Sequence, residues 1–327
     1  MTLLLRRSDV AALLDLRDCI AAVEEAFRQR GLGQMPPSAL LGVPARGGGF
    51  HVKAALRPGG RSWFAAKVNG NFPGNPRRSG LPAIQGTIVL CDGDDGRPLA
   101  VMDSIEITLL RTGAATAVAA RPLARPGSRV ATICGCGNQG RVQLRALACV
   151  LPLEHVFAFD LEPARAAQFA EQMSSELGVR ISPAADLAEA ASCSDVCVTC
   201  TPSRAPLLRR EHLKAGTFVA AVGADSPEKQ ELDPSILASS VLVVDVLDQC
   251  AEIGELHHAL DAGLMNRNDV HAELAEVVAG SKAGRTSDEE IIIFDSTGTA
   301  LQDVAAAAAV YENAVRAGKG SAFDFSA

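Results

Sequence analysis

The sequence of 327 residues is poor in aromatic residues and contains no long apolar run and no basic cluster. Aromatic side chains make up 4% of the chain, and none are interleaved with clustered Lys or Arg, so we do not expect a nucleic-acid partner. No apolar run reaches the ~18 residues that span a bilayer, so we expect no membrane partner. The opening segment, MTLLLRRSDV, places its charges after a very short apolar run, which predicts that it is not a signal peptide.

The nine cysteines lack the spacing of a zinc site, and no His-Glu-x-x-His motif occurs. The sequence therefore predicts no metal. We expect free thiols that pack as small apolar residues in a reducing cytoplasm.

The composition that remains is ordinary for a globular protein. The chain is 48% hydrophobic and 21% charged, its net charge is −7, and its mean hydropathy is +0.15. Its length suggests about two domains. Pro122, Pro126 and Gly127 form a candidate linker, and the tail helix that follows the last strand is expected to return to the first domain. We therefore predict two domains, one over 1–121 plus 302–327 and the other over 122–301.

The segment from Arg129 to Leu147, RVATICGCGNQGRVQLRAL, carries a dinucleotide-binding pattern. A short apolar strand is followed by Gly135, Gly137 and Gly140 at the spacing G-x-G-x-x-G, and then by a helical pattern. Such glycines provide a tight turn, close approach of a pyrophosphate, and close packing of helix on strand. The helix N-terminus also offers free N–H groups and a positive dipole end to the phosphates.

Asp160 supplies the acid that this pattern requires. It ends a second strand, about 20 residues beyond the last glycine, where a carboxylate accepts hydrogen bonds from the adenosine ribose. A carboxylate there repels a 2′-phosphate, so the sequence favours NAD over NADP. The alternative is a βαβ unit that binds no ligand.

Further strands alternate with helices along the rest of this region, which predicts an α/β fold with a doubly wound parallel sheet. Thr201, Asp225 and Ser296 follow directly after three of the strands. Ligands of such sheets bind beyond the carboxyl ends of the strands, so these residues are candidates for the site.

The N-terminal region follows a different pattern. Residues 15–30 are predicted to be an amphipathic helix, and short apolar runs between Gly/Pro-rich turns over 39–87 predict an antiparallel sheet. A second helical pattern, over 105–120, contains Arg111 without an acid one helical turn away. A buried guanidinium without a partner is unfavourable, so Arg111 either reaches solvent or meets an anion supplied from elsewhere.

Besides the glycine pattern, eight segments carry a family resemblance: FAAKVNGNFPGN (Phe64–Asn75), GLPAIQGTIVLCD (Gly80–Asp92), ITLLRTGAATAVAA (Ile107–Ala120), TPSRAPLL (Thr201–Leu208), VGADSPEKQEL (Val222–Leu232), AEIGEL (Ala251–Leu256), AGSKAGR (Ala279–Arg285) and FDSTGTALQD (Phe294–Asp303). Together they resemble the ornithine cyclodeaminase/mu-crystallin family over nearly the whole chain. The resemblance implies that 1–121 plus 302–327 form a substrate-binding and dimerisation domain and that 122–301 form an NAD-binding Rossmann domain.

The resemblance implies an NAD-dependent enzyme that acts on the C–N bond of an L-amino acid through an imine, and a dimer formed by the non-Rossmann domain. The activity expected first is conversion of L-ornithine to L-proline and ammonia. The alternatives are a ketimine reductase or alanine-type amino-acid dehydrogenase, and a dinucleotide-carrying binding protein without turnover, as mu-crystallins also serve.

The resemblance also implies roles for individual residues. Lys67 is expected to bind the substrate and take part in catalysis, and Asp225 to act as the general acid/base for the amine protons. Without the motif, Lys67 would be taken for a surface lysine and Asp225 for a turn or capping residue. The other residues with implied contacts are Arg111 at the substrate carboxylate beside the nicotinamide, Asn138, Gln139 and Gly140 at the pyrophosphate, Thr201 and Ser296 at the rest of the cofactor, and Thr297 at the substrate.

Two departures from the cyclodeaminase pattern concern the substrate. Ser38 stands where an Arg usually follows the paired prolines, and His51 stands where an acid orients the distal amine of ornithine. Lys53 or Arg46 is a candidate for the missing cation.

Overall fold

The computed structural model describes residues 1–325 and divides the chain into two compact units. Met1–Arg111 and the described residues from Thr299 onward form the first unit, and Thr112–Gly298 form the second. The predicted boundary near Pro122 lies at the end of a helix that begins at Ile105, whereas the structure changes unit inside this helix, after Arg111. The tail helix belongs to the first unit, as predicted.

The elements are numbered in chain order. The strands are β1 (Thr2–Leu5), β2 (Ala39–Ala45), β3 (Gly48–Arg57), β4 (Trp63–Asn71), β5 (Ile84–Asp92), β6 (Pro98–Asp103), β7 (Val130–Cys134), β8 (His155–Phe159), β9 (Arg180–Pro183), β10 (Val196–Thr199), β11 (Arg204–Leu208), β12 (Phe218–Ala221), β13 (Gln230–Leu232), β14 (Val241–Val244), β15 (Ala272–Glu273), β16 (Ile292–Asp295) and β17 (Ser321–Phe323). The helices are α1 (Arg7–Leu13), α2 (Leu16–Gly31), α3 (Asn75–Ser79), α4 (Ile105–Leu123), α5 (Asn138–Ala148), α6 (Pro163–Leu177), α7 (Leu187–Cys193), α8 (Pro234–Ala238), α9 (Leu247–Ile253), α10 (Glu255–Asp261), α11 (Leu274–Val278) and α12 (Ala300–Ala317), with 3₁₀ turns at Arg210–His212 and Arg267–Asp269.

The first unit is a seven-stranded sheet in the order β17-β1-β6-β5-β4-β3-β2. Strands β2 to β6 pair antiparallel, which confirms the predicted sheet, while β1 pairs parallel with β6. Because side chains alternate across a strand, one face carries buried Ala65, Ile88 and Leu90. Helix α12 packs on this face, where Tyr311 meets the edge of Trp63 with ring centroids 5.7 Å apart.

The second unit is an eight-stranded parallel sheet in the order β15-β14-β16-β12-β10-β7-β8-β9. Strand β7 has β8 and β9 on one side and β10, β12, β16, β14 and β15 on the other. This order is that of a Rossmann-type doubly wound sheet, and its topological switch point lies between β7 and β10. The predicted fold class is therefore confirmed. The short parallel pair β11 and β13 was not predicted from the sequence.

Within the described residues 1–325, no helix has the length and apolar character to cross a membrane. All nine cysteines are free thiols, and five of them are buried: Cys19, Cys134, Cys136, Cys197 and Cys250.

Candidate active site

The glycine turn after β7 has the geometry that its pattern predicts. Gly135 has a φ of +104°, which an L side chain rarely adopts, and a Cβ on it would lie 2.9 Å from the Cys200 carbonyl oxygen. A Cβ on Gly140 would lie 2.1 Å from the Gly135 carbonyl oxygen, so only glycine lets α5 approach the strand. A Cβ on Gly137 would meet nothing within 4 Å. The turn is thus closed at its first and third glycines and open at the second, where a pyrophosphate approaches.

A cleft of about 340 Å³ opens beside this turn. It brings together four of the predicted cofactor residues, Gly135, Gly137, Asp160 and Thr201. The cleft lies at the carboxyl ends of β7, β8 and β10, which is the switch point of the sheet. Asn138 and Gln139 form the first turn of α5, after Gly137.

Asp160 is fixed by backbone donors. Its Oδ2 accepts from the N–H of Cys136 at 3.0 Å, and its Oδ1 accepts from the N–H of Glu162 at 3.0 Å. Arg165 Nη1 lies 3.9 Å from Asp160 Oδ2, while Arg165 Nη2 donates to Glu162 Oε1 at 2.9 Å. The carboxylate is therefore held at the cleft, in the position where a ribose hydroxyl would donate to it.

Thr201 is held by a buried carboxylate that the sequence analysis missed. Glu231 is fully buried, and its Oε1 accepts from both the N–H and the hydroxyl of Thr201, at 2.6 and 2.7 Å. Its Oε2 accepts from the N–H of Gly223 at 2.9 Å. Burial raises the pKa of Glu231, and these donors oppose the rise.

Ser296 and Thr297 lie in a second cluster, around Asp245. The Asp245 carboxylate accepts from the hydroxyls of Ser296 and Thr297, at 3.2 and 3.1 Å, and from the N–H of Gly298 at 2.7 Å. Gln249 Nε2 donates to the Thr297 hydroxyl at 2.7 Å. The loop after β16 is thereby fixed by the end of β14.

The first unit brings Lys67 and Arg111 together on one carboxylate, that of Asp303 on α12. Lys67 Nζ lies 2.9 and 2.8 Å from the two oxygens of Asp303, and Arg111 Nε lies 3.1 Å from Oδ1. Arg111 Nη1 also donates to Gln302 Oε1 at 2.8 Å. All three charged residues are at most 5% exposed. Arg111 therefore meets an anion from elsewhere in the chain rather than reaching solvent.

This burial changes the protonation of the cluster. Burial lowers the pKa of Lys67 to about 7, with a further contribution from the charge of Arg111 and in opposition to that of Asp303. Burial alone would raise the pKa of Asp303, but the charges of Lys67 and Arg111 outweigh it and hold this pKa below its ordinary value. The cluster thus contains a permanent cation, a carboxylate, and an amine that can exchange a proton near neutral pH.

Three other residues singled out from the sequence lie outside these clusters. Asp225 is half exposed in the loop after β12 and accepts from Lys229 Nζ at 2.5 Å. Lys53 lies directly opposite Lys67 in the register of β3 and β4, and His51 is two residues away on the same face. The residues 1–325 include no group of three or more His, Cys, Asp or Glu side chains that could hold a metal ion.

Sequence reasoning missed the buried acids of the site, which are Glu231, Asp245, Glu255, Asp295 and Asp303. A signal existed for Asp303, because a buried Arg and Lys require an acid and this one interrupts an otherwise apolar helical stretch. For the others, alternation in the sequence does not reveal that an acid turns inward toward backbone N–H groups.

Comparison with known proteins identifies the family of this chain and agrees with its fold. The model of the ornithine cyclodeaminase/mu-crystallin family matches residues 1–318. An archaeal alanine dehydrogenase dimer with bound NAD is 42% identical, with a TM-score of 0.93 and 99% of each chain covered. The Δ¹-pyrroline-2-carboxylate reductase of Thermococcus litoralis, in complex with NADH and L-proline, is 34% identical with a TM-score of 0.90, over 98% of this chain and 100% of that one. A lysine cyclodeaminase that recognises L-lysine, L-ornithine and L-2,4-diaminobutyric acid is 30% identical with a TM-score of 0.85, over 98% and 94% of the two chains.

Proposed function

Because the chain belongs to the ornithine cyclodeaminase/mu-crystallin family, we propose that it is an NAD(H)-dependent enzyme that interconverts an L-amino acid and its imine. The observation that carries the proposal is the buried cluster of Lys67, Arg111 and Asp303. Burying two cations on one carboxylate is costly, and with Lys67 protonated it leaves one positive charge in excess, which is suited to the α-carboxylate of a substrate.

The residues of the second unit fit NAD. The open face of Gly137, the N-terminus of α5 and the cleft beside them suit a pyrophosphate, and Asp160 suits a ribose with free hydroxyls. When bound, the nicotinamide accepts or supplies the hydride. The solved relatives that contain NAD or NADH support this choice.

The chain's own residues would then bind the substrate and move its protons. Arg111, whose planar guanidinium can donate two parallel hydrogen bonds, is suited to the α-carboxylate. Lys67, with its pKa near 7, can exchange a proton with the substrate. Asp225 would take and return the amine protons. In the oxidative direction, the hydride leaves Cα, one proton leaves the amine, and the products are the imine and NADH.

Among the activities of the relatives, an amino-acid dehydrogenase or imine reductase is the one that the charges favour. Lys53 on β3 lies directly opposite Lys67 on the neighbouring strand β4, and the charge of Lys53 lowers the pKa of Lys67. A diamino acid such as L-ornithine would add a further ammonium group to this face. Cyclodeaminase activity is the second candidate, and the similarity to lysine cyclodeaminase supports it.

One assay separates these functions. Purified protein is incubated with NAD and, separately, L-alanine, L-aspartate, L-proline and L-ornithine, and both NADH absorbance and ammonia are read. NADH formation identifies a dehydrogenase, and ammonia with L-proline but no net NADH identifies the cyclodeaminase. Reduction of Δ¹-pyrroline-2-carboxylate by NADH identifies a reductase. Binding of NADH without turnover in any assay would favour the alternative of a dinucleotide-carrying binding protein. The absence of NADH binding would contradict the proposal altogether.

We expect Asp225→Asn to lower turnover in the productive assay by about 10²-fold, because the amide cannot accept a proton. Its folding is checked by thermal melting, and its NADH affinity should stay within about twofold of the parent. Glu228→Gln, three residues along the same loop, is the control. Turnover that is unchanged in Asp225→Asn would show that another group handles the amine protons.

We also propose a homodimer that forms through the first unit. The sheet face opposite α12 carries apolar side chains that are 36–58% exposed: Leu4, Leu41, Val43, Phe50, Phe64 and Val68. Contiguous apolar surface on a sheet is typical of an interface. The dimeric alanine dehydrogenase supports the proposal. Light scattering should give twice the chain mass of 34.0 kDa, and Phe64→Glu should shift it toward the monomer.

The free thiols favour the cytoplasm as the location of the enzyme. All nine cysteines are unpaired, although exposed Cys193 and half-buried Cys91 and Cys149 are accessible to oxidation. A reducing compartment keeps such thiols intact. Fractionation of the cells that make the protein tests this location.

A further inference from the structure

The loops that follow β10 and β12 are joined by one side chain, that of Glu231. Its Oε1 holds the N–H and hydroxyl of Thr201, and its Oε2 holds the N–H of Gly223. Three donors on one fully buried carboxylate fix its position closely, because charge-assisted hydrogen bonds are short and strong.

Gly223 lies so close to this carboxylate that it has no room for a side chain. A Cβ on Gly223 would lie 2.5 Å from the Glu231 carboxyl carbon and 2.4 Å from the Thr201 carbonyl oxygen. Any larger residue would therefore force the two loops apart. Glycine at this position, with a φ outside the left-handed region, is explained by close approach rather than by backbone conformation.

The side chain of Glu231 accepts a hydrogen bond from the backbone N–H of Gly223, so it ties together the two ends of the segment from Gly223 to Glu231. This loop carries Asp225, the proposed acid/base, and the Lys229 ammonium that contacts it. Thr201, at the other end of the bridge, lines the cleft. Glu231 thus connects a wall of the cofactor cleft with the loop that bears the acid/base.

A second buried carboxylate fixes Glu231 in turn. Glu255, at the start of α10, accepts from the N–H of Glu231 at 2.7 Å and from the N–H of Leu232 at 3.1 Å. It is 1% exposed. The backbone of β13 is therefore held from behind while the Glu231 side chain reaches forward to the two loops.

From this geometry we infer that Glu231, supported by Glu255, is a positioning residue that sets the Thr201 wall of the cleft and the Asp225 loop relative to each other. The inference rests on the proposed function, because it assigns the cleft to NAD and the acid/base to Asp225. It concerns groups that hold backbone and hydroxyl donors and do not themselves touch substrate or cofactor.

The test uses Glu231→Gln in the full-length protein. Glutamine keeps the size of the side chain but replaces one acceptor oxygen with an NH₂ group, which must face either Thr201 or Gly223, both donors. We expect the Kd for NADH, measured by NADH fluorescence, to rise about tenfold, and kcat to fall about tenfold in addition. In the ligand-free protein, amide hydrogen exchange at Thr201 and Gly223 should become at least tenfold faster.

Two further variants address the same bridge. Thr201→Val removes the hydroxyl donor and keeps the N–H, so it should weaken NADH binding with a smaller change in kcat. Glu255→Gln should show the changes of Glu231→Gln in weaker form. Glu252→Gln, on the exposed side of α9, is the matched control and should leave Kd, kcat and exchange unchanged.

The outcomes distinguish this inference from the proposed function. If the parent protein binds NADH but Glu231→Gln binds it equally well and turns over equally fast, the positioning role is wrong, even if the melting temperature falls. If Glu231→Gln does not fold, Thr201→Val takes its place in the test. An unchanged Kd for NADH and unchanged amide hydrogen exchange at Gly223 in Thr201→Val would then show that the positioning role is wrong. If the parent protein does not bind NADH, the proposed function fails and the positioning role fails with it.

Discussion

The two units bury charge in different ways. In the first unit, Lys67 and Arg111 share the carboxylate of Asp303, a residue 236 positions along the chain from Lys67. In the second unit, Glu231, Asp245 and Glu255 are held mainly by backbone N–H groups and hydroxyls. The first unit pairs side chains of opposite charge. In the second unit, the dipoles of backbone N–H groups and hydroxyls surround the buried carboxyl groups.

The two arrangements are suited to different tasks, the first to proton transfer and the second to holding loops in place. A buried pair of ionisable side chains can redistribute a proton when a substrate charge arrives, and the pKa of Lys67 near 7 places it where this occurs. A carboxylate that accepts from backbone donors holds loops in place. We therefore expect changes in the Lys67 cluster to alter turnover and its pH dependence, and changes at the carboxylates beside the cleft to alter cofactor binding and the position of its loops.

The largest effect is expected for Lys67→Ala. Removal of this amine leaves Asp303 with one cation and takes away the group proposed to bind the substrate and exchange its proton, so kcat/KM should fall about 10³-fold. NADH affinity should stay within about twofold. Lys282→Ala, at an exposed lysine, is the control. An NADH affinity that falls with turnover would contradict the assignment of Lys67 to the substrate rather than the cofactor.

The next effect is expected for Asp160→Ala. Loss of the carboxylate at the cleft should raise the Kd for NADH about tenfold, while NADPH, which the carboxylate repels, should bind no worse than before. The measurement is fluorescence titration with both nucleotides, with Glu171→Ala as an exposed control on α6. Equal weakening of both nucleotides would contradict the assignment of Asp160 to the ribose.

Asp303→Asn should change the pH dependence of turnover. The charge of Asp303 raises the pKa of Lys67, so its removal should lower that pKa further. The inflection expected near pH 7 in the profile of kcat/KM should move to lower pH, by about one unit or more. Glu312→Gln, exposed on the same helix, should leave it in place. An unmoved inflection would assign it to a group other than Lys67.

The smallest effect concerns stability. Burial raises the pKa of Asp295 to about 7 from an ordinary value of 3.8. The folded protein thus binds this proton more tightly than the unfolded chain, so stability should fall as the pH rises from about 4 to about 7. Asp295→Asn cannot ionise, and its melting temperature should fall less between pH 5 and pH 8, by a few degrees. Asp261→Asn, at an exposed site, should fall as much as the parent.

Much of the fold follows from local pattern. The strands predicted before the glycine turn and before Asp160 form in the structure, at Val130–Cys134 and His155–Phe159. The helix predicted over 15–30 begins at Leu16, where Asp15 caps it by accepting from the N–H of Arg17. Period and capping are local properties, so they can be read from neighbouring residues. The short strands β1, β11 and β17 escape this reading, because their pairing partners decide whether they form.

The sequence by itself determined the nucleotide cleft, since the glycines, the helix start and Asp160 lie within a short stretch and their roles follow from spacing. Only the tertiary structure decided which groups Arg111 and Lys67 contact. Their partner Asp303 is distant in the chain, and burial of all three sets the pKa of Lys67. The same holds for Glu231, because its contacts require Thr201 and Gly223 to lie close together beyond the carboxyl ends of β10 and β12. Spacing along the chain expresses local geometry, whereas desolvation and charge pairing depend on which distant residues the fold brings together.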